Sequence, residues 1–389
     1  MLKKAALLFS VSMGVFLTAC AGGGAAAGDD DVVRVGWIGP LTGDMAVWGT
    51  SELASTRMFF DQLNEEGGLL GRQVEVISYD TRGDLVEAVN VTRRLATLHN
   101  VIGIIGPNTS GQAIAMSPAL EETETPGIAT VATNPLVTNA EDGTVKPFNF
   151  RVAFVDTYQG AVVAGFAFNH LDARTAAVLF DVGSDYSQGV SEFFQAHFVG
   201  LGGEIVAVEG FNPMDVDFRP QLTSIRNADP DVILMPFSFR EVALATEQAR
   251  SLGIESTFLG TDTWPSALLL EMAAESIEGS YLVHHLDTND PEVAWLFNMY
   301  RDNTGREPEI NAFLAWDASQ MLVEAVERAG SFDNVAIRDA LVETNFTGVT
   351  GPINISPDTN SPDGKQAAIL TVRNGEFVFV QNYSPNFDY

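Results

Sequence analysis

Short apolar runs alternate with amphipathic stretches from residue 32 onward, and that rhythm leaves the chain few folds to adopt. Residues 32–38 are rich in β-branched side chains, a Gly-rich turn follows, and 46–66 carries helical spacing. Strand-like 74–79, 101–105 and 127–131 then alternate with helix-like 84–99 and 112–124. Short apolar strands, of which 101–105 is wholly apolar, alternating with amphipathic helices imply a parallel sheet covered on both faces. The rhythm restarts after Phe150-Arg151. Strands at 175–180, 205–209, 232–235 and 257–259 are each followed by a helical segment, at 187–199, 218–227, 241–252 and 265–275. The fold class expected is therefore α/β, with two doubly wound parallel-sheet lobes. Helical segments at 291–303, 311–328 and 334–342 then run in succession, and strand-like 366–372 and 376–381 close the chain. A third of a domain does not stand alone, so these segments are expected to return and complete both lobes.

The ends specify a compartment. Lys3 and Lys4 precede an apolar stretch at 5–17, which is too short for an ordinary spanning helix. It ends in Leu17-Thr18-Ala19-Cys20, which matches the bacterial lipobox, so residues 1–19 are expected to be a signal peptide and Cys20 a lipidation site. Residues 20–31 are small or acidic and read as a flexible tether. The expected location is the periplasm or the outer face of the cytoplasmic membrane, held by the lipid. Because Cys20 is the only cysteine, the rest of the chain must fold on its core without a disulfide.

Composition excludes other classes. A formal charge of −30 is the opposite of a nucleic-acid footprint. After signal cleavage only Lys146 and Lys365 remain as lysines. No nucleophile elbow, zinc-protease motif or P-loop is present, and a thiol nucleophile is ruled out, so neither an enzyme nor a cofactor is expected. His284-His285 is a poor metal pair, because neighbours in a strand point to opposite faces.

In open α/β sheets ligands bind beyond the carboxyl ends of the strands. Several of the turns there carry glycines, hydroxyls or acids: residues 39–43, 106–111, 133–135, 181–186 and 260–263. Ser110 follows an apolar strand and a Gly-Pro turn and opens a helix, where free N–H groups favour a carboxylate. The rival reading is a plain helix cap. Asp262, if it faces a dry cleft, needs a cation.

The ordered turns resemble the branched-chain amino-acid-binding family of type I periplasmic binding proteins. The resemblance is carried by Val35-Gly36-Trp37-Ile38-Gly39-Pro40-Leu41-Thr42-Gly43, by residues 64–72, by Ile105-Gly106-Pro107 with Ser110, by Ala132-Thr133-Asn134-Pro135, and by residues 229–233 and 258–260. It implies two lobes joined by three crossovers, near Arg151, Val283 and Gly351, closing on a ligand. Lobe I would hold 32–151 and 285–350, and lobe II 152–284 and 351–389. The resemblance also implies site roles. Ser110, Ala132 and Thr133 would hold the polar end of an amino acid, Asp262 would pair with its ammonium, and Tyr186 would reach across. Trp48 and an aromatic at 237–239, with Phe239 the candidate and Phe237 open, would line its side-chain pocket. Partners implied are a small-molecule ligand and an ABC permease; amides, urea or aromatic acids, or a sensory role, are alternatives. The trap is expected to act as a monomer.

Overall fold

The computed structural model describes residues 32–385; the expected signal peptide, Cys20 and the whole tether lie outside them. The chain opens with β1 (Val32–Gly39), α1 (Ala46–Glu65), β2 (Gln73–Asp80), α2 (Leu85–Leu98), β3 (Ile104–Ile105), α3 (Ser110–Glu122), β4 (Gly127–Ala129) and β5 (Asn149–Arg151). These strands form a parallel sheet ordered β2-β1-β3-β4-β5. Next come α4 (Asp156–His170), β6 (Thr175–Asp181), α5 (Asp185–Gly200), β7 (Glu204–Phe211), α6 (Arg219–Ala228), β8 (Val232–Leu234), α7 (Phe239–Ser251), β9 (Thr257–Gly260), α8 (Ala267–Ala273) and β10 (Tyr281–His284). Their sheet runs β7-β6-β8-β9-β10, again parallel, so the order of the first sheet is repeated strand for strand.

The remainder is α9 (Ala294–Thr304), α10 (Ile310–Ala329), α11 (Asn334–Val342), β11 (Asn345–Gly348), β12 (Gly351–Ile355), β13 (Pro362–Asp363), β14 (Ala367–Arg373) and β15 (Glu376–Tyr383). The last two strands extend the second sheet in antiparallel sense beside β10. That sheet is therefore mixed. α10 is buried along most of its length, and its Phe313, Leu314 and Met321 share a core with Val35, Trp37 and Phe60. The cores of the second sheet are separate.

Two features depart from the sequence reading. The 15-residue α4 was not anticipated. It is buried nearly all round, so it shows no polar face to give a helical period. Its Gly160 also admits no side chain, since a Cβ there would lie 2.7 Å from the Phe194 nitrogen. The third crossing, expected near Gly351, comes later. Ile353 and Ile355 pack in the core of the first sheet, and the chain reaches the second only at Ala367. Lys365 stands in that crossing. It is buried, and its amine donates to the Thr350 carbonyl (3.0 Å) and hydroxyl (2.7 Å). The Thr350 hydroxyl in turn donates to Asp317. Lys146, half-buried, donates to the Leu136 carbonyl.

Candidate ligand-binding cleft

The carboxyl ends of both sheets face one cavity of about 370 Å³, lined by the turns after β1 to β4 and β6 to β9. The two halves meet around it. Arg240 pairs with Asp44 at 2.6 Å, and the Asn134 amide donates to the Asp185 carbonyl at 2.8 Å.

Ser110 is the first residue of α3 and lines the cavity. The capping position belongs to Thr109, which makes no side-chain cap; its hydroxyl turns to Gln112 Oε1 instead. The N–H groups of the first helical turn are thus not closed off by a cap, as an anion site requires. Ser110 Oγ accepts from the Asn134 N–H (3.2 Å), which ties the turn after β3 to the turn after β4.

Ala132 and Thr133 lie beneath this surface rather than on it. The Ala132 carbonyl accepts from Arg151 Nη1 (3.0 Å), while Nη2 of the same buried guanidinium holds Asn134 O (2.8 Å) and Thr138 Oγ1 (3.0 Å). The residue of this strand end that lines the cavity is Val131, one position earlier. Thr133 Oγ1 is buried and makes no aligned hydrogen bond, although it lies near enough to Asp156 to favour that carboxylate's charged form.

Asp262 lies on the opposite wall, in a cradle of donors. Oδ1 accepts from Gln159 Nε2 (2.7 Å) and the Tyr186 hydroxyl (2.5 Å), and Oδ2 accepts from His285 Nε2 (3.0 Å). Burial alone would raise its pKa, but donation from His285, Gln159 and Tyr186 outweighs this and holds Asp262 below its ordinary value. It is therefore a buried anion. A carboxylate offers about four lone-pair directions, so one remains for a ligand cation. Burial and the charges of Asp262 and Asp156 push the Tyr186 phenol well up, which keeps it a donor.

Trp48 lines the cavity, but Phe239 does not. Phe239 is buried and packs edge-to-face behind Trp48, with centroids 5.7 Å apart, whereas Phe237 reaches the cavity. Trp264 is core, its indole N–H donating to the Met235 carbonyl. Residues that the sequence reading did not single out are Gln159, on the unforeseen α4, and His285, which was weighed only as half of a metal pair. Asn108 and Glu241 also line the cavity. Asn108 sat within a turn already marked for its glycines and hydroxyls, so its position was the available signal.

Below the cleft, two buried acids are neutral at pH 7. Burial, opposed by Thr130 and Asn311, pushes Glu52 up to about 8. Burial also pushes Asp156 up to about 8, with Asp262 adding to it and Thr133 and Arg151 opposing.

Residues 32–376 match the family model described as periplasmic binding protein. A leucine-binding protein from Thermotoga maritima is 33% identical, with a TM-score of 0.83 over 91% of this chain and 99% of that one. A branched-chain amino acid transporter substrate-binding protein from Streptococcus pneumoniae, solved in complex with isoleucine, is 28% identical, with a TM-score of 0.83 over 91% and 100%. A Leu/Ile/Val-binding protein homolog of Brucella suis is 28% identical over 343 residues, 88% of this chain and 90% of that protein. With two matching sheets turned toward one cleft and a family match that runs nearly their whole length, the chain belongs to the periplasmic binding protein family.

Proposed function

We propose that this protein captures an α-amino acid, with branched-chain or otherwise apolar amino acids as the reference ligands, and delivers it to an ABC importer. The observation that carries this reading is the pairing of opposite requirements across one cavity. The start of α3 with Ser110 suits a carboxylate, and the anionic Asp262 on the facing wall suits an ammonium. Trp48, Phe237 and Val131 supply apolar wall for a side chain. Contacts that exist only when both halves touch the ligand favour the closed form. The relatives' names support the class of ligand: one is called a leucine-binding protein, one is solved with isoleucine, and one is named a Leu/Ile/Val-binding protein homolog.

A thermal-shift screen across amino acids, amides and aromatic acids tests this. An amino acid at about 100 times its Kd should stabilise the protein by about 2.7 kcal/mol. A response only to carboxylates lacking an ammonium would refute the reading.

We further propose that Cys20 carries the lipid that holds the domain at the membrane, supported by the 17–20 sequence pattern. No helix among the described residues is long and apolar enough to cross a membrane. Cys20→Ser should move the protein from the detergent phase to the aqueous phase on partitioning; equal partitioning of both forms would dismiss the anchor.

A further inference from the structure

We propose that Asn108 selects among amino-acid ligands, favouring a side chain that carries an uncharged group able both to donate and to accept a hydrogen bond: a hydroxyl or a carboxamide. The inference rests on the amino-acid reading above and shifts its preferred side chain away from the purely apolar reference ligands.

Asn108 lies between β3 and α3, two residues before Ser110, and lines the cavity. It is only 7% exposed, yet neither its Oδ1 nor its Nδ2 has a hydrogen-bond partner among the described residues. Buried polar side-chain atoms are nearly always paired, so an amide buried beside a ligand cleft with both functions unpartnered calls for a specific explanation. The adjacent polar groups are already engaged: Thr109 Oγ1 with Gln112, and Ser110 Oγ with the Asn134 N–H.

The two charged ends of an amino acid are met elsewhere. Ser110 and the start of α3 address the carboxylate, and Asp262 addresses the ammonium. The Asn108 amide is left to address a third polar group on the ligand. A purely aliphatic side chain would press carbon against the amide and leave both of its functions unpaired. A hydroxyl or carboxamide can satisfy both at once, because each donates and accepts. Trp48 and Phe237 still offer apolar wall to the stem of such a side chain. Glu241 points the same way. It lines the same cavity, and its buried Oε2 also has no hydrogen-bond partner. Burial, with the charges of Asp181 and Asp44 and against hydrogen bonds from its own backbone and Ser238, pushes its carboxyl above its ordinary value.

Calorimetry on the full chain with near-isosteric pairs, threonine against valine and glutamine against methionine, reads the preference directly. At least one polar member should bind roughly tenfold or more tightly than its apolar partner, the penalty for an amide left unpaired. Asn108→Leu should weaken binding of the polar member and so abolish or reverse that preference; Asn108→Ala serves if the leucine variant does not fold. Equal affinity within both pairs, unmoved by either substitution, would overturn the role of Asn108 while leaving amino-acid capture standing. Failure of the wild-type protein to bind any amino acid would overturn both.

Discussion

Asp262→Ala is expected to weaken amino-acid binding by about 30-fold or more, the scale of removing one partner from a buried, hydrogen-bonded charge pair. The substitution removes the anion facing the ligand's ammonium. It also strands the Gln159 amide, the Tyr186 hydroxyl and the His285 ring, all of which now converge on it. Titration calorimetry checks this, and unchanged affinity would reject the role. Asp262→Asn separates the two losses, because it keeps an acceptor for the cradle but removes the charge. Since the cradle holds the carboxylate below its ordinary value, wild-type affinity should persist into acid conditions that would neutralise a free aspartate.

Stability is expected to fall between pH 7 and 8 by about 2 kcal/mol, roughly half of it from Glu52 and half from Asp156. The folded protein keeps a proton on each of these acids up to about pH 8, whereas the unfolded chain releases both near pH 4. Across this window the unfolded state binds fewer protons, so raising the pH favours unfolding. His284 acts in the opposite direction. Burial depresses it to about 3, so its contribution is lost as pH falls below its unfolded value near 6.5, outside the window. Within the same window Lys365, depressed to about 8 by burial, opposes the decline and Glu309, raised to about 7 by burial, adds to it, each by roughly a few tenths of a kcal/mol, so the two nearly cancel. Glu52→Gln should remove about half the decline, because glutamine keeps the acceptor used by Thr130 and Asn311 and carries no titrating proton. Denaturant unfolding at pH 7, 7.5 and 8 would show it; a level profile for the wild type would contradict the neutral-acid assignment.

The strand-helix rhythm was legible because each half-buried helix and each apolar strand carries its own period. α4 was not, because a helix wrapped by core on all sides has no period to display. At the cleft, residues at strand ends could be named but not aimed. Moving from Ala132 to Val131, or from Phe239 to Phe237, changes which side chain meets the cavity, and only the backbone path settles the choice. Asp262 could be read as an acid needing a cation, but not as one already held by Gln159, Tyr186 and His285. Those partners lie 103, 76 and 23 residues away, so no local pattern joins them.

The lysines of the folded part have a practical consequence. Lys146 and Lys365 are the only lysines within residues 32–385, and both amines are occupied by hydrogen bonds to the protein itself. An acylating dye, an aldehyde cross-linker or an activated-ester sensor chip therefore meets a single half-buried lysine, Lys146, on the folded surface, while Lys365 is closed to it. Its abundant carboxyls offer far more points for coupling chemistry than its lysines do. A reagent that does acylate Lys365 would report that the segment joining the two sheets has come apart.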